Sequence, residues 1–484
     1  MKEKLFGLIL FLACCLSFDE INAQKKLTYL TEAGAQVGTG DNAPFWQVSN
    51  KQGLSSIEPD NGYLRAGAFW NETLSDKFSY DAGLDLAGAV NFNAGFFIQQ
   101  AYVEADYRNV FLRVGSKEHY SDFRNNLLTT GTTVWSGNAR PIPQVDAGIK
   151  DYIALPFAKW MQFKGEIAFG KFTDNNYQKD TYNQYDEHYG FYTLNVMYHY
   201  KSLFVKFEEE NKPVNFIFGF EMGTQFDGDP VGNDISKDDL KAGWWEVLFP
   251  FGTISSGNNQ VSSSGNLLGC YHFVLGYDQP DYKLTFYNEH YFDDHTGMFF
   301  HNWKDGLFGI EYKKKQKSLF NGMVCEYVNT TNQSGPILYD KTGEVPIQVS
   351  GADNYYNNFG YPGWAHWGMA IGSPLLTSPA YNRNGYLAFE NNRTRTYHLG
   401  VSGNISGDFV YRVLASYTQG WGTPYIPFIK KKTNFMGLAE VSCVPQKIPG
   451  WKVTASLGLD SGDLYGDNFG INLSIRKTGT ILSK

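Results

Sequence analysis

Apolar and polar residues alternate with a period of two along most of this 484-residue chain, in short runs separated by turns. A period of two is the side-chain repeat of a β-strand whose two faces meet different surroundings. After the first 23 residues we find no long apolar run and no convincing helical stripe. The pattern therefore predicts an all-β fold built from many two-faced strands.

Residues 97–107 show the alternation clearly. Phe97 and Val103 fall on the predicted apolar face, and Glu104 and Asp106 fall on the predicted polar face. A polar face suits a water-filled lumen and an apolar face suits lipid, as in a membrane barrel. A soluble β-sandwich produces the same alternation, so the period alone does not separate the two folds.

The number and spacing of the segments favour a barrel. We count about 18 or 19 segments, each close to the ~9–11 residues that a tilted membrane strand needs. Many are joined by tight polar turns, whereas residues 116–144, 223–266 and 329–392 form long connections, an asymmetry typical of outer-membrane barrels. A sandwich of this length would contain repeated domains, and we see no internal repeat. We therefore predict a single transmembrane antiparallel β-barrel of about 18 strands.

The start of the chain has the features of an export signal. Lys2 and Lys4 form a basic region, residues 5–16 are apolar, and Ala23 closes a small-residue cleavage site. The apolar stretch is shorter than the ~20 residues that a membrane-spanning helix needs. We expect residues 1–23 to be a cleaved signal peptide.

Export of this kind places the barrel, expected over residues 24–484, in the outer membrane of a Gram-negative bacterium. One alternative stays open at the processing step. The run around Cys14 and Cys15 is a loose match to a lipoprotein site, at which one of these cysteines would carry lipid.

Composition excludes some classes of protein. Aromatic residues make up 17% of the chain, and Tyr and Trp collect at membrane interfaces and at sugar-binding surfaces. A formal net charge of −8 argues against a nucleic-acid partner, which needs a basic footprint. Cys270, Cys325 and Cys443 are odd in number and far apart, so we expect buried small residues and no disulfide frame.

We find no catalytic motif that stands out. The chain has no Gly-x-Ser-x-Gly elbow, no His-Glu-x-x-His pair and no phosphate-binding glycine loop. His290 and His295 flank two aspartates, but a polar loop at a strand end explains this cluster better than a metal site. We therefore expect no enzyme activity, no cofactor and no metal.

Two loops combine aromatic, amide and charged residues as a polysaccharide site requires. Aromatic faces stack on sugar rings, and amide, His and Arg side chains hydrogen-bond the hydroxyl groups. The candidate binding residues of the two loops are Trp135, Asn138, Arg140, Tyr355, Tyr356, Asn357, Asn358, Tyr361, Trp364, His366 and Trp367. Alternatively, both loops fold inward and pack their aromatic residues as a plug. The two interpretations are compatible, because a plug can present a binding face.

Several runs resemble the capsule-assembly Wzi family of outer-membrane barrels, in the form found in Bacteroides-like bacteria. They are the run WSGNARPIPQ at 135–144 and the runs at 326–335, 355–358, 368–374, 391–393 and 397–399. The resemblance implies an 18-stranded barrel with helical elements at the periplasmic end. It also implies a lectin-like role in which the protein holds capsular polysaccharide or exopolysaccharide at the cell surface.

We therefore predict a non-enzymatic outer-membrane barrel that binds or organises capsular polysaccharide or exopolysaccharide. Its expected partners are this polymer and outer-membrane lipid, with no nucleic acid, and the barrel is expected to be a monomer. One rival is a porin-like channel, which requires an open lumen. Another is a lipase or a glycosidase of the outer membrane, and a glycosidase requires two converging carboxyl groups.

Overall fold

The computed structural model describes residues 24–184, 190–249, 253–254, 261–262, 265–293, 295–333 and 353–483. The expected signal peptide therefore lies outside the described residues. Nineteen strand segments form one antiparallel sheet, and two of them are the halves of a single interrupted strand, since both pair with the strand Ala158–Lys171. Eighteen strands thus surround one lumen, as the alternation predicted.

The strands follow one another around the barrel in chain order. They are β1 (Gln24–Thr39), β2 (Asn61–Ser75), β3 (Phe78–Val90), β4 (Phe96–Tyr107), β5 (Val110–Ser116), β6 (Gln144–Ile149 and Ile153–Leu155), β7 (Ala158–Lys171), β8 (Met197–Glu208), β9 (Val214–Phe226), β10 (Asn266–Asp278), β11 (Tyr282–Phe292), β12 (Gly306–Lys314), β13 (Gly322–Asn329), β14 (Thr394–Asn404), β15 (Phe409–Gly422), β16 (Pro427–Cys443), β17 (Trp451–Gly462) and β18 (Asn468–Ser483).

Pairing of the first and last strands closes the sheet. β1 and β18 run antiparallel, with Lys26 opposite Ser483 at one end and Thr39 opposite Phe469 at the other. The last strand reaches Ser483. Closure leaves no unpaired strand edge, and this is what allows a sheet to sit in hydrocarbon.

On β4 the two faces of the strand are sorted as the alternation predicted, except at Phe97. On β4, Val103 is exposed on the outer face, whereas Glu104 and Asp106 are buried on the lumen side. Phe97 was expected to share the face of Val103, but it is 4% exposed and lies inside the barrel. The register shifts here, where Gln100 pairs with Asp85 but Ile98 pairs with the next residue along β3. This bulge at Gln99 inserts one residue and changes the face of every residue before it.

The two rims of the barrel differ. Turns of a few residues join β2 to β3, β4 to β5 and β10 to β11, and both ends of the barrel sequence lie at this short-turn rim. The opposite rim carries the long connections 40–60, 117–143, 172–196, 227–265 and 330–393. In outer-membrane barrels short turns are periplasmic and long loops extracellular, which orients the molecule.

The helical elements are few and short. They are α1 (Phe45–Val48), α2 (Tyr177–Asn183), α3 (Trp244–Leu248), α4 (His295–Met298) and the 3₁₀ turns Lys237–Leu240 and Pro379–Tyr381. All of them belong to connections of the long-loop rim, so they differ in position from the periplasmic end that the resemblance implied. Among the described residues, no helix has the length and apolarity needed to cross a bilayer.

Three connections fold into the lumen, and we call residues 40–60, 117–143 and 353–393 together the plug. The largest cluster of buried apolar side chains lies here and not between layers of sheet. Its members include Trp46, Leu128, Val134, Trp135, Trp364 and Phe389. The hydrophobic core of this protein therefore lies inside the barrel, while the outer face of the sheet exposes apolar side chains.

Two buried carboxylates of the barrel wall hold the plug. Glu326 on β13 accepts hydrogen bonds from Thr129 Oγ1 at 2.6 Å and from the Thr130 amide and hydroxyl, both at 2.7 Å. Glu289 on β11 accepts from Arg124 Nη2 at 2.7 Å, and neither of these two side chains is exposed. The segment 117–143 is thus anchored by charge-assisted hydrogen bonds, which are stronger than neutral ones.

The segment 40–60 is anchored on other strands of the barrel wall. The amide of Phe45 donates to Asp460 Oδ2 at 2.9 Å, and Trp46 Nε1 donates to Ser416 Oγ at 3.2 Å. The wall strands β15 and β17 therefore hold α1 through polar lumen-facing residues. These anchors explain why the inner face carries polar side chains where the plug packs against it.

We predict that Glu326→Ala loosens the plug without preventing barrel formation. The substitution leaves the donors of Thr129, Thr130 and Tyr287 without an acceptor, at a cost of about 1–3 kcal/mol for each buried group. The measurement is the rate at which protease cleaves residues 117–143 in the detergent-solubilised barrel.

Glu32→Ala is the matched control, because Glu32 is a buried lumen carboxylate that contacts the wall residues Arg476 and Tyr63. We expect faster cleavage in Glu326→Ala than in Glu32→Ala. Equal cleavage of the two variants would show that Glu326 does not anchor the plug.

Candidate functional site

The structure places all eleven candidate residues in the plug. They differ in exposure to solvent. Asn357, Asn358 and Trp367 are partly exposed. The other eight are buried: Trp135, Asn138, Arg140, Tyr355, Tyr356, Tyr361, Trp364 and His366. Both loops therefore fold inward, as the second interpretation of their sequence proposed. Whether the candidates bind polysaccharide stays a prediction.

Tyr356 and Trp364 join the two loops to each other. Tyr356 Oη donates to the carbonyl of Thr133 at 2.5 Å and accepts from the Ser373 amide at 2.7 Å. Trp364 Nε1 donates to the carbonyl of Val134 at 2.9 Å. Both side chains have almost no exposed surface, so they build the plug and do not face a ligand.

The candidate amides have a similar structural role. Asn138 Nδ2 donates to the carbonyl of Ala370 at 2.9 Å. Asn357 accepts a hydrogen bond from the amide of Phe389 and donates one to its carbonyl, both at 2.8 Å. These two bonds hold two segments of the plug side by side. Buried polar groups of this kind need partners, and here the backbone supplies them.

Arg140 and Trp367 form a stack at the edge of the plug. The guanidinium carbon of Arg140 lies 3.3 Å from the ring centroid of Phe97 and 4.5 Å from that of Trp367. Burial lowers the pKa of Arg140 to about 9. The inward turn of Phe97, which the bulge causes, is therefore what completes this cation–π stack. Trp367 has a left-handed backbone with φ of 55°, an uncommon conformation that positions its ring.

A cleft lies beside this stack, facing the long-loop rim. It has a volume of about 60 Å³. Its aromatic walls come from Phe172, Tyr177, Tyr361 and Trp367, and its polar groups come from Asp174, Gln178, Asn195, Gln225 and His366. Gly368 has φ of 78°, and a Cβ there would lie 2.5 Å from the Tyr177 ring, so only glycine allows the two sides to approach.

His366 lines the cleft and also contacts the plug segment 117–143, and its ring has one defined tautomer. The Thr173 amide lies 3.3 Å from Nε2, and Nδ1 lies 2.9 Å from the carbonyl of Arg140. Because an amide N–H can only donate, Nε2 accepts and Nδ1 carries the hydrogen. Burial lowers the pKa of His366 to about 4, and the neighbouring Arg140 charge acts in the same direction. The ring is therefore neutral at physiological pH.

Sequence reasoning found one side of this cleft and missed the other. Tyr361, His366 and Trp367 were candidates, whereas Phe172, Asp174, Tyr177 and Gln178 were not. These residues belong to the run FTDNNYQ at 172–178, which has the same mixture of aromatic and amide residues as the two loops. Its composition was a usable indication, but only folding shows that it meets the loop at 353–369.

The described groups of His, Cys, Asp and Glu that are close enough to share an ion lie elsewhere. One is Glu221, Cys270 and His272, and the other lies on β3 and β4; neither lines the cleft. Flat aromatic faces with amide, hydroxyl and carboxylate groups at their edges suit a ligand with apolar ring faces and many hydroxyl groups.

The fold and the cleft together define a class: a plugged β-barrel of the outer-membrane type. The family model for capsule assembly protein Wzi matches residues 33–376, well over half of the 484 residues. The chain belongs to this family, as the resemblance of its motifs indicated. No curated protein matches the sequence.

Three solved structures that resemble this chain are distant from it in sequence. Wzi of Escherichia coli, described as an outer membrane protein involved in group 1 capsule assembly and a carbohydrate-binding β-barrel, is 13% identical with a TM-score of 0.56, over 92% of this chain and 83% of that one. OpdK of Pseudomonas aeruginosa with vanillate is 8% identical with a TM-score of 0.48, over 95% and 99% of the two chains. OccAB4 of Acinetobacter baumannii is 10% identical with a TM-score of 0.47, over 96% and 100%.

We predict that acid opens the contact between residues 173 and 366. The folded-state pKa of His366 lies below the ordinary value near 6.5, so its stabilising effect is lost as the pH falls from about 6.5 through about 4. Protonation removes the lone pair that accepts from the Thr173 amide. Hydrogen exchange of the peptide around Thr173, corrected for the intrinsic pH dependence, measures this loss.

His366→Gln keeps an acceptor and does not titrate, so it serves as the comparison. We expect the protection of Thr173 to fall with acid in the unsubstituted protein and to change less in His366→Gln. The same pH profile in both proteins would contradict the assigned role of His366.

Proposed function

We propose that this protein binds capsular polysaccharide or exopolysaccharide at the cell surface and takes part in capsule assembly without catalysing a reaction. The observation that carries the proposal is the cleft, where four aromatic rings and several amide groups face the extracellular rim. Membership of the capsule-assembly family supports it. The description of the E. coli Wzi barrel as carbohydrate-binding supports it further.

The proposed mechanism uses many weak contacts. Rings such as Tyr177 and Trp367 stack on the apolar faces of sugar units, and Gln178, Asn195 and Asp174 bind hydroxyl groups at the edges. Each stack contributes about 0.5–1.5 kcal/mol, the value for a pair of aromatic rings. A repeating polymer engages many barrels at once, and this avidity makes weak sites sufficient for retention.

The cleft supports binding better than hydrolysis. Among the described residues that line it, Asp174 is the one carboxylate. A glycosidase of the usual kind needs two, roughly 5–10 Å apart on either side of the bond. The cleft as described therefore lacks the pair of groups that this chemistry requires.

We propose the following cellular setting. The chain is exported by a signal peptide over residues 1–23, cleaved after Ala23, and inserts as a monomer whose apolar outer face contacts outer-membrane lipid. Exposed outer-face residues such as Leu64, Leu457 and Ile471 support this lipid contact. Lipidation at Cys14 or Cys15 is the alternative processing route. Mass determination of the mature N-terminus distinguishes the two routes.

We predict that Trp367→Ala weakens binding of the polymer and leaves the barrel folded. Trp367 is partly exposed in the cleft, so its loss removes one stacking contact, equivalent to a roughly two- to tenfold lower affinity. Equilibrium binding of purified capsular oligosaccharide to the detergent-solubilised protein measures this change.

Trp303→Ala is the matched control, because Trp303 is 63% exposed at the same rim and does not line the cleft. Equal affinity of Trp367→Ala and Trp303→Ala would contradict the assignment of the cleft. Replacing Trp135 or Trp364 is a poor test, since both are buried and their loss creates a cavity at a cost of about 3–5 kcal/mol.

The plug also distinguishes the proposed binding protein from a porin-like channel. Segments from three connections lie in the lumen and are anchored to the barrel wall through Glu326 on β13 and Asp460 on β17. We therefore predict little ion conductance for the protein in planar bilayers, in contrast to an open porin. Steady conductance of porin size in the unsubstituted protein would favour the channel.

A further inference from the structure

A cluster of metal-ligating side chains lies in the barrel wall, apart from the cleft. Glu221 on β9 is directly opposite Cys270 on β10, and His272 follows two residues later on the same face. Their ligand atoms all lie within 4.8 Å of one another. All three side chains are more than nine-tenths buried on the lumen side.

One ring nitrogen of His272 has two close neighbours. Its Nε2 lies 3.0 Å from Glu221 Oε2 and 3.1 Å from Cys270 Sγ. A ring nitrogen has either one hydrogen to donate or one lone pair to accept with, so it serves only one of these two partners. A single metal ion bound to the nitrogen, the sulfur and the carboxylate oxygen would satisfy all three atoms.

The second nitrogen of His272 has the environment of a zinc-bound histidine. Nδ1 has no hydrogen-bond partner and lies 3.8 Å from Glu289 Oε1. Metal-bound histidines commonly direct their other nitrogen at a carboxylate, which keeps the hydrogen there and leaves the ligating nitrogen free. Tyr200 Oη donates to Glu221 Oε1 at 3.0 Å and orients that carboxylate as well.

The charges and the chemical types of the three ligands favour zinc. A thiolate and a carboxylate together neutralise a divalent cation, and Glu289 neutralises the nearby Arg124 at 2.7 Å, so the buried set carries no net charge. Sulfur, imidazole nitrogen and carboxylate oxygen are the ligand types of zinc. Tetrahedral zinc bonds of about 2.0–2.3 Å require His272 Nε2 to separate from Glu221 Oε2 and from Cys270 Sγ by only a few tenths of an ångström.

The carboxylate end of this cluster borders open space on the lumen side. Glu221 and Tyr200 line a cavity of about 240 Å³ there. We propose that Glu221, Cys270 and His272 form a zinc site in the barrel wall. Phe123 of the plug packs against the His272 ring at 5.7 Å between centroids, so the ion would sit directly beneath the plug.

The sequence pointed to no metal, because no spacing of cysteines and histidines suggested one. Glu221 is separated from Cys270 along the chain and meets it only through the pairing of β9 with β10. The proposed site does not depend on polysaccharide binding, since none of its three residues lines the cleft.

Cobalt substitution tests the proposal on the detergent-solubilised full-length protein. After removal of metal with chelator, the protein is titrated with Co²⁺ and then with Zn²⁺. We expect one ion per chain, visible as a thiolate-to-cobalt charge-transfer band that zinc abolishes. Absence of this band in the folded unsubstituted protein overturns the proposal, whatever the variants do.

Variants assign the ligands. Cys270→Ser should lose the band and His272→Gln should fail to form the tetrahedral cobalt spectrum, whereas the matched thiol variant Cys325→Ser should keep both. Tyr200→Phe, which removes the orienting hydrogen bond to Glu221, should weaken zinc affinity roughly 10- to 100-fold. A band that persists in Cys270→Ser shows that the ion is elsewhere and overturns the proposal. Heat-dependent gel migration confirms that each variant is folded.

Discussion

Closure of the sheet is the constraint on which the rest of this molecule depends. A bilayer core offers no water to backbone N–H and C=O groups, so every strand must pair on both sides. The long antiparallel pairing of β1 with β18 meets this requirement. Since the outer face of the described sheet is apolar and exposed, the lumen holds the hydrophobic core and the three inward connections. The plug follows from this division of surfaces.

The plug in turn requires buried charges in the wall. Glu289 and Glu326 each accept several hydrogen bonds from residues 117–143, where removal of one partner would leave an uncompensated buried group. Such anchors fix the position of the two candidate loops relative to each other. The plug can therefore hold Trp367 in a left-handed backbone conformation and keep the cleft open at its outer surface.

Much of the fold could be predicted from the sequence, because the two-residue period reports directly on lipid and lumen. The sequence could not predict which face Phe97 occupies. One extra residue at Gln99 reverses the alternation of faces, and nothing in the local sequence indicates a bulge. The candidate loops were recognisable by composition, but composition does not distinguish Trp364, which packs inside, from Trp367, which lines the cleft. Composition also does not show that Tyr177 contacts the candidate loops, because that contact depends on tertiary packing.

The central claim is that the outer face of a closed plug binds the surface polymer, and the most direct measurement is labelling on intact cells. Trp367→Cys is treated with a membrane-impermeant maleimide in the presence and absence of purified capsular polysaccharide, with Trp303→Cys in parallel. The account predicts that both variants are labelled on whole cells and that the polymer protects only Trp367→Cys. Labelling of Trp367→Cys only after lysis, or equal labelling with and without polymer, would contradict it.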